Sequence, residues 1–375
     1  MPLSSRTWLP TLGLLVALTA GGAASDAAVV NVNCGNTTGD SNVLNTAIRG
    51  SATGDAIHIH GTCLVNDTIV LLGDRSYLGD SRTGTVIRQA DGANLAALVA
   101  SDSWMSNATG TGRPVRLAHL TIDGNKAANT GTHALVIRSW LTTIEDVQVR
   151  GAPADGIQLT SLGRDGKTGL TSTQVNGRIS NVFISGSNGH GLRVLDPGNA
   201  VTDWDLLDSW IANSGLSAIQ MDNAAGWKIL GNHVYGVRRH AIYAERCWGT
   251  TIQNNYVEGF GSEGGEDQTW YGIACTVQGG TASVISDNKV FRLGAKAAAL
   301  PGRFIYIGVP QVNYGAGVLN VVNNVIRGAG GARDIGLSYQ AGKGEGLQVV
   351  SANNNVQSVA VGRAVGERVI LVDPL

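Results

Sequence analysis

The chain has 375 residues, of which 52 are glycine and 15% charged, with a formal net charge of −1. A near-neutral chain without a basic run carries no electrostatic footprint for nucleic acid, and no amphipathic helical period appears after the first 50 residues. High glycine, frequent asparagine and short apolar alternations point instead to an all-β chain of many short strands and tight turns.

Arg6, the apolar run 9–20 and the small residues 21–24 have the form of a secretion signal, cleaved before about Ala28. Residues 1–27 are therefore expected to be a signal peptide and 28–375 a single secreted domain. The apolar run is too short to span a membrane, and no second stretch of about 20 apolar residues follows, so no membrane partner is expected. Four cysteines fit an oxidising compartment. Cys34 and Cys63 are near enough to tie the N-terminal cap and Cys247 and Cys275 fall in neighbouring repeats, although four cysteines allow three connectivities. Their spacing is not that of a zinc site. No metal ligand or cofactor is assigned, and a calcium ion held by a few scattered oxygens stays open.

Asp40 or Ser41 is placed to cap a short helix carrying Val43, Leu44, Ala47 and Ile48. Gly54-Asp55-Ala56-Ile57-His58-Ile59-His60-Gly61-Thr62-Cys63 then reads as a strand, followed by short strands over 68–71 and 77–80 with Gly and Asp turns between them. A capping helix, that strand and a succession of short coils resemble the entry to the pectate-lyase-like superfamily. The resemblance implies a right-handed parallel β-helix and a carbohydrate-active enzyme.

From Thr85 onward each repeat is marked by an apolar residue, a polar pair and a second apolar residue. The leading positions Ile144, Ile179, Leu206, Ile229, Ile252, Ile285 and Val321 are spaced 35, 27, 23, 23, 33 and 36 residues apart. A basic coil of 23 with insertions in some turns is the periodicity of a solenoid whose rungs bury one another's apolar faces. Asn232, Asn255, Asn288 and Asn324 recur three residues after the leading position and are expected to form an internal asparagine ladder. Asp123, in an Asp-Gly-Asn sequence, is read as a turn residue. The insertions 161–176, 261–270 and 294–302 lengthen particular turns and are expected to shape a binding face. The tail Val369–Val372 is expected to cover the open end of the stack.

A second phrase aligns Asp155-Gly156-Ile157-Gln158, His190-Gly191-Leu192-Arg193, Ser217-Ala218-Ile219-Gln220, His240-Ala241-Ile242-Tyr243 and Tyr271-Gly272-Ile273-Ala274. With the apolar residue inward, the next residue faces out. The outward columns are then Gln158, Arg193, Gln220, Tyr243, Ala274 and, two residues on, Thr160, Leu195, Asp222, Glu245, Thr276. Asp222 and Glu245 should stack on adjacent rungs about 4.8 Å apart, close enough for mutual repulsion to push their pKa values apart. A carboxyl that keeps its proton beside one that does not is what cleavage of a glycosidic bond needs, and a separation near 5 Å suits retention or transglycosylation. The bland reading is a solvated pair neutralised by Arg193 or Arg246.

Asp155-Gly156 and Gly189-His190-Gly191 resemble part of the polygalacturonase pattern, but the Asp-Asp coil and the Arg-x-Lys of that pattern are missing, so its inverting mechanism is not implied. The first functional expectation is thus a glycoside hydrolase or transglycosidase acting on a polysaccharide or oligosaccharide, with Asp222, Glu245 and His240 catalytic. Asp155, Gln158, His190, Arg193, Gln220, Arg239, Tyr243, Arg246, Trp248 and Tyr271 would bind substrate. The second is a polysaccharide lyase using Arg239, His240 or Tyr243, with Arg193, Arg238 and Arg246 as further cations. The third is a noncatalytic glycan-binding β-helix. Trp140, Trp248 and Trp270 lie where an exposed indole can stack on a sugar.

Overall fold

The computed structural model describes residues 27–372, so the expected signal peptide lies almost wholly outside the described residues. The chain winds into a right-handed parallel β-helix. One face is a sheet of eleven strands running from Ile69–Leu71 to Val361–Val365, and a 22-stranded sheet order takes up the other strands except Gln174–Val175 and Val201–Thr202, which pair with each other. Successive rungs pair in the expected register: Ile179 opposite Leu206, Leu206 opposite Ile229 and Ile229 opposite Ile252. All four side chains are fully buried, so each coil closes the apolar face of the one before it.

The asparagine ladder is present. Asn232 and Asn255 each take a backbone N–H, from Ser209 and Asn232 respectively, on the side-chain oxygen, and the contact repeats to Asn288 and Asn324. Each amide nitrogen donates to a carbonyl of the preceding coil, from Leu206 to Ile285. The ladder extends one rung further than expected, to Asn354. Asn254, Asp287, Asn323 and Asn353, each one residue earlier, have φ between 54° and 59°, a left-handed turn that Asn and Asp tolerate. The polar pair is therefore one residue for the turn and one for the ladder.

The short helix is Asp40–Gly50, with Leu44 and Ile48 buried and Val43 48% exposed. Its N-cap is Gly39 with no side-chain cap, which corrects the capping role expected of Asp40 or Ser41. The Asp40 carboxylate instead accepts the N–H groups of Gly35, Thr37 and Leu64, tying the entry loop to the stack. Disulfides join Cys34 to Cys63 and Cys247 to Cys275. Asp123 accepts the Asn125 N–H in the expected turn and pairs with Arg150. Val369–Val372 pairs with the strand Gly346–Ala352 at the end of the stack. Among the described residues no helix is long and apolar enough to cross a membrane.

Candidate active site

The outer face of the eleven-stranded sheet holds a groove of about 670 Å³. Its floor follows from a steric device. Gly156, Gly191, Ala218, Ala241 and Gly272 form a column of small residues, and at Gly191 an added Cβ would sit 2.4 Å from Ile211 Cγ2 and 2.8 Å from the Ala218 carbonyl oxygen. The inner side chains and the next rung approach closely there, and the preceding residues are Asp155, His190, Ser217, His240 and Tyr271, the last already inside the strand Thr269–Val277. One coil earlier His133 occupies the same column, a match visible in His133-Ala134-Leu135 but absent from the sequence alignment above.

Backbone groups of the next coil use the side chains of this column. Asp155 accepts the His190 N–H at 2.8 Å, His190 Nδ1 accepts the Ser217 N–H at 3.3 Å, and His240 Nδ1 accepts the Tyr271 N–H at 3.1 Å. With the Nδ1 lone pair so engaged, a neutral ring carries its proton on Nε2. Burial pushes both histidines down to about 4, with the Arg239 charge acting in the same direction on each. Both are therefore neutral near pH 7 and line the groove as hydrogen-bond donors.

The outward columns have the expected register: Gln158 pairs with Arg193, Arg193 with Gln220, and Gln220 with Tyr243. Arg193 spans two carboxylates, 3.9 Å from Asp155 and 3.9 Å from Asp222. Burial acts to raise the buried Asp155, but contacts with His133 and His190 outweigh it and hold the group below the usual carboxylate range. Asp222 is raised, chiefly by burial, with Arg193 opposing and Asp196 and Asp155 adding to the shift. Glu245 is raised by burial and then by the charge of Asp222. Glu245 thus feels the charge of Asp222, and both groups lie above the usual carboxylate range. Burial also raises Tyr243, with Glu245 contributing, and Tyr271, the latter to about 12.

The opposite wall comes from the insertion 261–270. Glu263 accepts from Arg239 Nε at 2.7 Å and lies 3.7 Å from Arg238, while Gln268, Thr269 and Trp270 complete that side. The insertion 294–302 braces it, with Pro301 packed beside Gly264. The insertion 161–176 contributes nothing to the groove lining; the fully buried Arg138 holds it by donating to the carbonyls of Ser161 and Thr168. Only one of the three insertions therefore forms a wall.

Of the expected site residues, the groove lining brings together His190, Arg193, Gln220, Asp222, Arg239 and His240. Tyr243 and Tyr271 pack against the His240 ring at 4.6 and 5.6 Å, and Glu245 lies on the rung beyond Asp222, outside the lining itself. Asp155 stands behind the groove. Four expectations are corrected. Gln158 is only 5% exposed and has no face to offer a ligand. Arg246 sits at a register shift with φ 55° and donates Nε to Gln278, so it neither lines the groove nor neutralises the carboxyl pair. Trp248, past the same irregularity, lies against Gly280 and also leaves the groove. Trp270 does line it, but as a packing residue, 5% exposed and with its indole N–H donated to the Gly264 carbonyl. Glu263 and Gln268 were not legible as site residues, although the insertion that carries them was.

Residues 118–362 match the family model described as "Right handed beta helix region". Comparison with curated proteins finds no match. Among solved structures, the chain is similar to the A-module of the Azotobacter vinelandii mannuronan C-5 epimerase AlgE4, with a TM-score of 0.60 and 17% identity over 89% of this chain and 96% of that one. It is also similar to the N-terminal fragment of bacteriophage Phi29 gene product 12, with a TM-score of 0.58 and 15% identity over 90% of this chain and 63% of that one. For the Dettilon tailspike protein the values are 0.53 and 13%, over 90% and 68%. At these identities the likeness is one of fold.

Proposed function

The chain belongs to the right-handed β-helix family, and on that scaffold we propose an enzyme that cleaves a glycosidic bond of a polysaccharide laid along the groove, with Asp222 and Glu245 as the reacting carboxyls. The observation that carries this reading is a pair of raised carboxyls on adjacent rungs beside an open groove, Glu245 being raised in part by the charge of Asp222. Glu245, raised by burial and by its neighbour's charge with no cation opposing, is the group that keeps a proton and delivers it to the glycosidic oxygen. Asp222, with Arg193 3.9 Å away favouring its charged form, is the carboxylate that faces the anomeric carbon. The rung spacing of about 4.8 Å matches the closer separation of a retaining or transglycosylating pair. Gln220 and the Nε2–H groups of His190 and His240 are placed to hold sugar hydroxyls. The mannuronan epimerase module shows that a chain of this shape can act on a glycan, which supports the substrate class.

A β-eliminating lyase using Arg239, His240 or Tyr243 draws on the two guanidinium groups of the groove. Two features weigh against it. The Nδ1 lone pair of His240 is already engaged and Nε2 holds the proton, leaving no free base on that ring. Arg193 and Arg239 face Asp222 and Glu263 within the same lining, so two positive groups meet two carboxyls and the groove has little excess charge for a uronate.

The test is incubation of the purified protein with a panel of neutral and acidic polysaccharides, following reducing ends, the ultraviolet absorbance of unsaturated uronates and product masses. New reducing ends without absorbance, or transglycosylated products by mass, are expected. Absorbance would overturn this reading in favour of the lyase, and binding without products would favour a noncatalytic role. Turnover that survives both Asp222→Asn and Glu245→Gln removes the pair from the chemistry.

A further inference from the structure

The strand Ala56–His60 is the second rung of the stack, after Val29–Asn33, with Ile57 and Ile59 buried and His58 and His60 on the outward side. Neither histidine belongs to the groove, whose first lining strand lies four rungs further on, roughly 19 Å along the axis at the usual strand spacing. Two neighbouring rungs close over them. Asp80, directly after the strand Arg75–Gly79, places Oδ1 2.7 Å from His60 Nδ1 and 3.3 Å from His58 Nε2. The three ligand atoms lie within 4.8 Å of one another. From the rung on the other side, Asn31 places Oδ1 3.0 Å from His60 Nε2.

His60 thus has an acceptor oxygen at each ring nitrogen, whereas a neutral imidazole carries one N–H. A metal ion at Nδ1 resolves the mismatch: Nε2–H is donated to Asn31, the orienting contact that metal-bound histidines commonly make, and the ion takes the place of a proton between His60 and Asp80. Two imidazole nitrogens and one carboxylate oxygen are a borderline donor set that suits Zn²⁺, Cu²⁺ or Ni²⁺; Ca²⁺ requires six or more oxygens. Ligand atoms about 2.0–2.2 Å from a tetrahedral ion stand roughly 3.3–3.6 Å apart. The His58 contact at 3.3 Å already meets that, and the His60 contact at 2.7 Å reaches it by a small rotation of the Asp80 side chain, which is 43% exposed.

We propose that His58, His60 and Asp80 form a divalent transition-metal site, oriented by Asn31, that pins the first three rungs of the stack together. The role is structural, near the end of the solenoid, where the first rung, Val29–Asn33, has a neighbour on only one side.

Calorimetric titration of the chelator-stripped full chain with zinc chloride, and separately with calcium chloride, tests this. One equivalent of zinc is expected to bind and to raise the melting temperature, with no heat from calcium. Zinc affinity should fall at least about 100-fold in the double variant His58→Ala/His60→Ala and about 10-fold in Asn31→Ala. Asp80→Asn, a same-shape change at an exposed position, provides the loss of binding should the double variant fail to fold. Zinc that does not bind, or binds the stripped wild type and the Asp80→Asn and double variants equally, overturns the proposal. In that case the Asn31 amide is turned the other way and the cluster is a plain hydrogen-bond chain.

Discussion

Replacing Glu245 by Gln separates a working carboxyl from an ornamental one, because it should move stability and turnover in opposite directions. Glu245 is raised above its ordinary value of 4.5 by burial and by Asp222. A carboxyl raised on folding binds protons more tightly in the native state, so its favourable contribution is present below 4.5 and is lost as pH rises through the folded pKa. At neutral pH the native state must either hold the Glu245 proton against solution or carry two like charges on adjacent rungs, about 5 Å apart at the usual strand spacing. With the solvent screening proper to half-exposed groups, an effective dielectric of 40–80 gives roughly 0.8–1.7 kcal/mol of repulsion. Glutamine keeps the shape of the protonated acid and removes that repulsion. Glu245→Gln should therefore be more stable than the wild type by about 1 kcal/mol at pH 7, about 1–2 °C in melting temperature for a chain of this length, and indistinguishable from it at pH 3. The assay is urea unfolding at both pH values alongside turnover on the best polysaccharide, which should drop at least about 100-fold. A variant that is less stable than the wild type at pH 7 would mean that a cation holds the ionised carboxylate, and the acid role would be refuted.

Asn288→Ala should cost roughly 2–4 kcal/mol in urea unfolding, since it strands the Asn255 N–H and the Ile252 carbonyl in the fully buried ladder. The histidines give an acid limb: both are depressed to about 4, so their stabilising effect holds above 6.5 and is lost as pH falls through that value toward 4. The urea midpoint should fall over this window, and by less in a His190→Gln/His240→Gln variant. Glu263→Gln should leave Arg239 without its carboxylate, and fluorescence titration should show tighter, more salt-sensitive binding of acidic oligosaccharides. Equal binding in wild type and variant would remove Glu263 from control of groove charge.

The coil and its register were legible because burial enforces them. Slipping a strand by one residue would send Ile219 or Ile242 into solvent, so the apolar period alone places Gln220 beside Tyr243, as found. The ladder was legible for a related reason, since a buried amide every coil has few uses other than pairing with backbone groups. Burial of side chains on the outward face was not. Gln158 and Tyr243 occupy the same column, yet the first is covered and the second only partly so. The difference depends on what the chain lays over each rung, and a strand period carries no information about that.

The same limit explains the site's other wall. Side chains of a regular rung are fixed by their neighbours every coil, whereas Glu263 is fixed by a loop whose course depends on Arg238 and Arg239 on one side and on Pro301 behind it. The bulge after Ala244 acts in the other direction, turning Arg246 and Trp248 out of a column that the alignment would have continued. A solenoid therefore encodes its candidate site in two ways. The repeat positions His190, Arg193, Gln220, Asp222 and His240 on a stiff floor, where spacing follows from the rungs. The departures from the repeat supply Glu263 and Gln268, the groups that set the groove's charge and width. Changes of substrate within such a scaffold should accordingly arise first in the insertion 261–270 and last in the column that carries the carboxyl pair.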